Sequence, residues 1–257
     1  MSPEARSAGE AGSFTAVVLA AGLGKRMNSD LPKVLHPALG RPLVLHVLEQ
    51  IDPLRPKLTV VVIGHRAALV REALRGRDVL FAEQTPQLGT GHAVQMAWSA
   101  IEKGPETLLV LAGDMPLIRT ATLKRLLERH GGERNAVTFL SGVLEDPGGY
   151  GRVIRDARGE FVKIVEERDA TPAERAVGEV NSGIYCFSRQ PLQEALGFLR
   201  ADNRQQEYYL TDTLSFIKGR GGRIGVERAS DSRELLGVNN PEQLAMVEEA
   251  LRAWSAS

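Results

Sequence analysis

The sequence predicts an α/β protein built on a doubly wound, mixed but mostly parallel sheet, with a smaller β-rich part towards its end. Two patterns support this fold class. Over residues 14–135, short apolar runs alternate with loops and with segments of helical spacing, as in sheets covered by helices on both faces. After about residue 136, strand-like runs follow one another through turns. We expect one domain over residues 14–257, with halves 14–135 and 136–257.

The apolar runs of the first half are interpreted as strands buried on both faces, because they lack the alternation of half-buried strands. The predicted strands span residues 14–20, 58–63, 79–82 and 107–111. The predicted helices span residues 42–51, 67–74 and 90–101, and residues 120 to about 129. Pro42 suits the first turn of its helix, where a missing N–H costs nothing.

The second half is predicted to contain more strands than helices. Its strands are expected at residues 137–143, 153–155, 161–166, 180–187 and 223–227, and its helices at residues 191–199, 210–218 and 241–254. Asn240 precedes the closing helix and suits its N-cap, since an amide oxygen can accept a bond from the first turn.

Amino-acid composition indicates which classes of partner and which cellular compartment to expect. Lys plus Arg equals Asp plus Glu, at 32 each among 257 residues, so charge gives no reason to expect binding to nucleic acid or to a membrane surface. Residues 1–13 are small and polar, which indicates a disordered tail rather than a secretory signal. No run approaches the roughly 20 apolar residues of a membrane helix. We therefore expect a cytoplasmic protein.

The single cysteine, Cys186, excludes an internal disulfide, and no Cys/His spacing suggests zinc. It lies within an apolar run. We expect a buried strand residue rather than a reactive thiol.

A glycine-bearing loop follows the first strand and carries two cations. The string LAAGLGKRM begins at Leu19, and Lys33 lies just beyond it. Glycines let backbone N–H groups approach phosphates, and Arg26 and Lys33 can neutralise a triphosphate. The loop matches neither the Walker pattern nor G-x-G-x-x-G, since Met27 stands at the third glycine position. A plain tight turn is the alternative interpretation.

A second candidate site begins at Glu83 and reads EQTPQLGTGH. Gln84 and Gln87 offer donors and acceptors that suit the edge of a base. Gly89 and Thr90 open a helix, where free N–H groups accumulate. The alternative is a glycine-capped helix start with exposed glutamines. His92 lies one turn into this helix without an evident partner, so we expect a structural role for it.

Asp114 follows Gly113 at the end of a predicted buried strand. Ligands of open α/β sheets gather at the carboxyl ends of strands, and a carboxylate there can hold Mg²⁺ against phosphates. A local turn residue is the alternative interpretation of Asp114.

Polar residues at the ends of elements in the second half form the fourth group. Carboxylates, amides and hydroxyls of this kind suit sugar hydroxyls, although each also has an interpretation as a turn, cap or surface residue. The group comprises residues 149–152, Glu166, residues 181–183, residues 208–212 and residues 238–240.

In this order, the motifs LAAGLGKRM, LPKVLH, QLGTGHA, GYGR, IVEERDA, EYYLTD and GVNN resemble the sugar-phosphate nucleotidyltransferase family. Within it, the resemblance is to N-acetylglucosamine-1-phosphate uridylyltransferases, the N-terminal domain of the bifunctional bacterial enzymes. It covers residues 14 to about 251 and implies a Rossmann-like nucleotide-diphospho-sugar transferase fold, UTP and a sugar 1-phosphate as substrates, and Mg²⁺ as cofactor.

The resemblance also implies a role for each matching residue. Leu19, Ala20, Ala21 and Gly22 would contact the uracil and phosphates, while Gln84, Gln87, Gly89 and Thr90 would lie at the base. Arg26, Lys33 and Asp114 would be catalytic, with Ala112 and Gly113 beside the substrates and with Asp114 and Asn239 binding Mg²⁺. Gly151, Glu166, Asn181, Tyr209 and Thr211 would hold the amino-sugar phosphate.

Three departures from the family pattern limit what the resemblance implies. Lys25 stands where the family usually has Thr, and Ala112 stands where the bifunctional enzyme often has Tyr, which leaves sugar or base preference open. No hexapeptide array of the acetyltransferase half is present, so the resemblance implies uridylyl transfer only. A separate acetyltransferase partner and the oligomeric state are left open.

Two other functions remain as alternatives. One is a related enzyme that uses glucose 1-phosphate with UTP or dTTP, although the amide and aromatic groups near Asn181 and Tyr209 favour an N-acetylated sugar. The other is a non-catalytic nucleotide-sugar sensor that has kept the fold. The complete set of Gly22, Lys33, Asp114 and Asn239 argues against a sensor.

Overall fold

The computed structural model describes residues 12–255 of the chain, and these form eleven strands and eight α-helices. The strands are β1 Phe14–Leu19, β2 Pro37–Ala38, β3 Arg41–Pro42, β4 Leu58–Ile63, β5 Leu80–Glu83, β6 Thr107–Ala112, β7 Val137–Val143, β8 Gly151–Arg155, β9 Phe161–Val165, β10 Glu179–Ser188 and β11 Ile224–Arg228. The helices are α1 Leu43–Ile51, α2 Ala67–Ala73, α3 Thr90–Ile101, α4 Thr120–Gly132, α5 Pro172–Arg175, α6 Arg189–Leu196, α7 Asp212–Gly219 and α8 Pro241–Ser255.

Strands from both halves of the chain share one sheet, in the order β11-β7-β10-β6-β1-β4-β5. The pairs β1–β4, β1–β6, β4–β5 and β11–β7 are parallel. β10 runs antiparallel between β6 and β7, and it also pairs with β8, which pairs in turn with β9. The predicted mixed α/β fold is confirmed.

The register of the parallel strands brings three loops to one edge of the sheet. Leu19 at the end of β1 pairs with Val62 on one side and with Ala112 at the end of β6 on the other. At the end of β4, Ile63 pairs with Glu83 of β5. The chain therefore leaves β1, β5 and β6 at the same edge.

The two faces of the sheet bury separate hydrophobic layers. Ala16 and Val18 of β1 pack in the layer that contains residues of α1, α2 and α4. Val17, between them, packs in the opposite layer with residues of α3, α6 and α7. This two-sided burial is the physical reason for the continuous apolar run that predicted β1. A third cluster joins Met27 of the glycine loop to Leu43 of α1 and Val247 of α8.

Most predicted elements are present, with shifted ends. The helix predicted at residues 191–199 is α6, which begins at Arg189 and ends at Leu196, and the helix predicted at residues 210–218 is α7, which begins at Asp212. Neither the β2–β3 hairpin nor α5 was predicted. Thr171 and Glu174 form a capping box around α5, which stabilises a helix too short to show helical periodicity.

Several residue predictions can be compared directly with the structure. Asn240 caps α8, because its Oδ1 accepts the Gln243 amide proton at 2.8 Å. Cys186 is fully buried in β10, as predicted. Except for residues 12 and 13, the predicted disordered tail lies outside the described residues. Within residues 12–255, no helix has the length and apolar character needed to cross a membrane.

Candidate active site

A cavity of about 640 Å³ opens at the carboxyl edge of the parallel strands. Most of the residues predicted to bind substrate line it. These are Leu19, Ala21, Gly22, Arg26, Lys33, Gln84, Gln87, Gly89, Thr90, Ala112, Asp114, Gly151, Glu166, Asn181, Thr211 and Asn239. Ala20, Gly113 and Tyr209 were predicted with them but are not among the lining residues.

The glycine loop after β1 brings Lys33 to the cavity. Gly24 has φ +60°, and a Cβ placed on it would lie 2.9 Å from the Lys33 Cβ. A larger residue at position 24 would therefore be strained and would push Lys33 away. At Gly22, by contrast, a Cβ would meet no atom within 4 Å. Met27, which stands where a third glycine would be, is buried in the cluster beneath the loop.

Lys33 lies at the centre of a small polar group. Its Nζ forms an ion pair with Asp114 Oδ2 and donates to Asn239 Oδ1 at 3.1 Å. Arg26 Nη2 donates to the same Asn239 oxygen at 3.2 Å. Two cations and one carboxylate leave this side of the cavity with an excess of positive charge, which suits phosphate groups.

Backbone hydrogen bonds hold the two oxygen-bearing residues of this group. Gly113 N donates to Leu19 O at 2.9 Å, which fixes the chain beside Asp114 against β1. Val238 N donates to Asp114 O at 2.9 Å and so joins the loop before α8 to the end of β6. Asn239 N donates to Gln243 Oε1 at 2.7 Å. Asp114 and Asn239 are therefore adjacent although they are 125 positions apart in the sequence.

The donor set around Lys33 fits a small hard cation. Asp114 Oδ2 and Asn239 Oδ1 both contact the same Nζ atom, so two oxygens converge on a position that a single cation can occupy. The described residues contain no cluster of three or more His, Cys, Asp or Glu side chains of the kind that holds a metal alone. Mg²⁺ is commonly bound by one or two carboxylates together with waters and substrate phosphates, and this arrangement allows that.

The glutamines of the second motif donate hydrogen bonds to backbone carbonyls of their own loop. Gln84 is only 3% exposed, and its Nε2 lies 2.9 Å from Gly89 O, to which it donates. Gln87 Nε2 donates to Gln84 O at 3.0 Å. The alternative interpretation of this motif was a helix start with exposed glutamines. It does not hold for Gln84, which is buried. Contact of either side chain with a base stays a prediction.

His92 has a partner, contrary to the expectation from its sequence context. Its Nδ1 lies 3.2 Å from Gln84 Nε2. Burial lowers the pKa of His92 below its ordinary value, against a smaller raising effect of a backbone hydrogen bond at Pro86. A neutral imidazole can accept the Gln84 proton, so His92 supports the loop, and its structural role agrees with the prediction. The sequence did not indicate Gln84 as the partner of His92, because a loop separates Gln84 from α3.

The start of α3 is joined to a segment of the second half. Gly91 N donates to Tyr208 O at 2.7 Å, and Tyr208 N donates to Leu88 O at 2.8 Å. Leu210 N donates to Thr90 Oγ1 at 3.1 Å. The hydroxyl of Thr90 therefore holds the second half of the chain against the first.

Glu166 and Thr211 form the end of the cavity that the resemblance assigns to the sugar phosphate. Thr211 Oγ1 donates to Glu166 Oε1 at 2.9 Å. Burial raises the pKa of Glu166, the Thr211 bond opposes this, and the carboxylates of Asp212, Asp169 and Glu207 raise it further. At Gly151, a Cβ would stand 3.5 Å from both Glu166 oxygens, so glycine leaves room beside the carboxylate.

Asn181 completes this end, whereas Tyr209 supports it from outside. Asn181 Nδ2 donates to the Tyr185 hydroxyl at 2.6 Å, and its Oδ1 accepts from Gly183 N at 3.2 Å. The Tyr209 hydroxyl donates to Asp169 Oδ2 at 3.2 Å and accepts from Gln205 Nε2 at 2.8 Å. Burial raises the pKa of Tyr209 to about 12, so the phenol stays protonated.

The cavity also has lining residues that were not predicted individually. Most of them lie within motifs that the sequence had singled out, without a role of their own: Leu23, Gly24, Val34, Ala93, Gly149, Tyr150, Arg168, Ser182, Gly183, Glu207 and Leu210. Tyr185 and Gln205 lie outside those motifs. Gln205 carries no local signal, because only the folding of the second half brings its loop to the cavity.

Comparison with known proteins supports the same interpretation as the geometry. Residues 16–202 match the MobA-like NTP transferase domain. The bifunctional protein GlmU of Clostridioides difficile (strain 630) is 45% identical over 239 residues, which are 93% of this chain and 52% of that protein. The bifunctional protein GlmU of Cupriavidus taiwanensis is 51% identical over 232 residues, 90% of this chain and 50% of that protein. This chain thus spans about half the length of these curated relatives.

Solved structures with low sequence identity share the fold. A Bacillus anthracis protein assigned as a glucose-1-phosphate thymidylyltransferase matches with TM-score 0.74 and 16% identity, over 93% of this chain and 96% of that one. A nucleotidyl transferase from Methanothermobacter thermautotroptrophicus matches with TM-score 0.63 and 24% identity, over 94% of this chain and 99% of that one. From its motifs, its fold and these matches, we conclude that the chain belongs to the MobA-like NTP transferase family, as a sugar nucleotidyltransferase domain.

Proposed function

We propose that this chain makes UDP-N-acetylglucosamine and pyrophosphate from UTP and N-acetylglucosamine 1-phosphate. One observation carries the proposal: Gly22, Lys33, Asp114 and Asn239, which lie far apart in the sequence, line one cavity together with Glu166. A site that combines two cations with carboxylate, hydroxyl and amide groups suits phosphates together with a sugar. The substrate identities rest on the motif resemblance and on the identity to the GlmU proteins.

The proposed chemistry needs no general base. An oxygen of the sugar phosphate attacks the α-phosphorus of UTP, the bond from that phosphorus to the α–β bridging oxygen breaks, and pyrophosphate leaves with the electron pair. The attacking oxygen is already anionic, so the main barrier is repulsion between two polyanions. We expect catalysis by positioning and charge neutralisation.

Arg26 and Lys33 supply the neutralising charge in this proposal. Both reach Asn239 Oδ1, so both cations lie at one point of the cavity wall. Charge that develops on the transferred group would meet donors that are already in place, which requires little reorganisation during the reaction. Gly22 lines the cavity with open space beside its Cα, and the amides of its loop would bind the nucleotide phosphates.

Asp114 and Asn239 would hold Mg²⁺ in the same proposal. The metal would supply charge neutralisation between the sugar phosphate and the α-phosphate. For this, the Lys33 ammonium must move from between the two oxygens towards a phosphate. Lysine has a long flexible stem and binds phosphate as a point charge, so this shift needs no change in the backbone.

The sugar would lie at the Glu166 end. Glu166, Thr211 and Asn181 present a carboxylate, a hydroxyl and an amide to the cavity, and Gly151 leaves space beside them. We expect Tyr209 to act through the Gln205 loop rather than by direct contact, because its hydroxyl is turned to Asp169 and Gln205.

The test is a panel of nucleotides and sugar phosphates, assayed for pyrophosphate release with and without Mg²⁺. UTP with N-acetylglucosamine 1-phosphate should give the highest kcat/KM, and chelation of Mg²⁺ should stop the reaction. A preference for glucose 1-phosphate, or for dTTP, would establish the related enzyme instead. Binding of UTP without pyrophosphate release from any pair would establish the nucleotide-sugar sensor.

Two further expectations belong to this proposal. We expect the reaction to take place in the cytoplasm, where nucleoside triphosphates are available. The acetylation step is not assigned to this cavity, and an acetyltransferase partner and the oligomeric state are questions for a size and pull-down measurement on the purified chain.

A further inference from the structure

Tyr150 lies where the cavity wall meets the loop before α8. It ends a turn in which its amide donates to Pro147 O at 3.2 Å, and β8 begins at the next residue. Its ring is partly buried and packs against the hydrophobic layer that contains Leu235. Tyr150 lies in the polar group at residues 149–152, but no role of its own was predicted for it.

The hydroxyl of Tyr150 binds the loop before α8 at two points. It donates to Leu235 O at 3.0 Å and accepts from Gly237 N at 3.2 Å. Leu235 is fully buried, so its carbonyl has little access to water as an alternative partner. One hydroxyl therefore fixes the backbone on both sides of residue 236.

This anchored segment leads directly to Asn239. Val238 N is bound to Asp114 O, and Asn239 Oδ1 faces Lys33 and Arg26. Gly237 is two residues before Asn239, so a shift of Gly237 moves the amide oxygen relative to the Asp114 carboxylate. The Tyr150 hydroxyl and the Asp114 carbonyl are thus two adjacent anchors of the same loop.

The residue after Tyr150 belongs to the proposed sugar end. Gly151 pairs with Asn181 through the β8–β10 ladder and lies beside the Glu166 oxygens. The tyrosine therefore connects the strand at the sugar end with the loop that carries Asn239.

We infer that Tyr150 is a positioning residue, whose hydroxyl holds the Asn239 amide oxygen beside the Asp114 carboxylate and so sets the affinity for the divalent cation. The inference rests on the proposed function, because that function assigns the metal to Asp114 and Asn239. Residues that orient metal ligands typically change metal affinity by about 10–100-fold when they are removed.

The test compares Tyr150→Phe with the wild type, since phenylalanine keeps the ring and removes only the hydroxyl. Binding of Mn²⁺ in the presence of UTP, followed by electron paramagnetic resonance, should weaken by about tenfold. The Mg²⁺ concentration for half-maximal pyrophosphate release should rise by a similar factor. At saturating Mg²⁺, kcat and the KM for UTP should return towards the wild-type values.

Ser188→Ala is the matched control. Its hydroxyl donates to Asn135 O at 2.9 Å, and the residue ends β10 at the edge remote from the cavity. This variant also loses a hydroxyl that binds a backbone carbonyl, but it should leave Mn²⁺ affinity unchanged. A second comparison uses Asn239→Ala as background: adding Tyr150→Phe there should cause no further loss of Mn²⁺ affinity, because the tyrosine acts through Asn239.

Several results would overturn the inference. These are wild-type Mn²⁺ affinity in Tyr150→Phe, a rate loss that excess Mg²⁺ does not restore, and full additivity with Asn239→Ala. Fast hydrogen exchange of the Gly237 amide in the wild type would also overturn it, and that measurement requires no variant. A wild type that binds Mn²⁺ and UTP but releases no pyrophosphate would instead contradict the proposed function, and the Mn²⁺ titrations would still measure the effect of Tyr150.

Discussion

Lys33 carries positive charge at the point where the two phosphate-bearing substrates are proposed to meet. We expect Lys33→Ala to lower kcat/KM for pyrophosphate release by about 10²–10³, by analogy with the loss of one donor to a developing anion. Its Nζ contacts both Asp114 and Asn239, so its removal leaves the transferred phosphate with one cation fewer. Steady-state kinetics with UTP and the preferred sugar phosphate measure this effect.

The control for this prediction is Lys57→Ala, which removes an exposed lysine just before β4. Its kinetics should equal those of the wild type. If Lys33→Ala were equally active, the lysine would lie outside the reacting centre and the proposed charge neutralisation would be wrong.

His130 is a buried histidine far from the proposed chemistry, and it makes stability depend on pH. It is 3% exposed in α4, with Nδ1 lying 3.2 Å from Thr138 Oγ1 and Nε2 lying 3.3 Å from Ser188 Oγ. Burial lowers the pKa of His130 from 6.5 to about 4. Between these values the unfolded chain binds a proton that the folded chain does not.

The contribution of neutral His130 to the free energy of unfolding should therefore be complete above pH 6.5. It should decrease as the pH drops towards 4. The contribution of this one residue is up to about 3 kcal/mol. Urea titrations of the wild type and of His130→Gln at a series of pH values separate it from the carboxylates. The difference between the two proteins should shrink as pH falls, and a constant difference would contradict the prediction.

At the residue scale, the sequence predicted the types of side chain better than their contacts. The grouping of Lys33 with Arg26 could be predicted, because Arg26 and the glycine loop are close to Lys33 in sequence. The hydrogen bond from Lys33 to Asn239 could not be predicted from local sequence, since the two residues are 206 positions apart. Gln84 shows the same limit, because a glutamine that suits the edge of a base can also donate hydrogen bonds within its own loop. Its partner His92 belongs to the next helix.

The start of α3 shows how closely two elements pack beside the cavity. A Cβ on Gly91 would lie 2.4 Å from Leu199 Cδ1 and 2.9 Å from Tyr208 O. We expect Gly91→Ala to lower the free energy of unfolding by about 1–3 kcal/mol, because the helix must move away from the backbone of Tyr208. The same movement should raise the KM for UTP.

Gly131→Ala in α4 is the matched control for this substitution. A Cβ there would meet no atom within 4 Å, so alanine should stabilise the protein by about 0.4–1 kcal/mol. Denaturant unfolding measures both variants. Equal effects of the two substitutions would show that α3 packs more loosely against Tyr208 than these Cβ distances indicate.

At the element scale, burial on both faces made the central strands easy to predict. β4 and β7 have the predicted bounds, because long apolar runs separate clearly from polar turns. The weaker predictions were short elements held by local hydrogen bonds, such as α5, and the ends of α6 and α7. For α7, Leu210 belongs to the segment bound to Thr90, so the helix begins only at Asp212.

The sheet crosses from one half of the chain to the other at the β6–β10 ladder. We therefore predict that residues 14–257 unfold as one domain. The two tryptophans report on both halves, since Trp98 lies in α3 and Trp254 in α8. Denaturant curves of Trp98→Phe and Trp254→Phe, followed by fluorescence of the remaining tryptophan, should have the same midpoint. Two separate midpoints would indicate two units.

At the scale of the whole molecule, a general rule predicted where the site lies, but the tertiary fold decided its full composition. Parallel strands bring their carboxyl ends to one edge, so Gly22 and Asp114 were expected to be close. The loop that contributes Gln205 and Glu207 is held at the cavity by the bonds of Tyr208 to Leu88 and Gly91, and Arg168 follows β9. No local pattern in the sequence specifies that arrangement.

The most direct test of the central claim follows the α-phosphorus itself. UTP labelled with ³²P at the α-phosphate is incubated with the purified chain, N-acetylglucosamine 1-phosphate and Mg²⁺, and the products are separated by thin-layer chromatography. Direct transfer predicts that the label appears in the UDP-sugar, with none in pyrophosphate and none bound to the protein. Label that remains in UTP, or that becomes attached to the protein, would contradict the account of two phosphates aligned in this cavity.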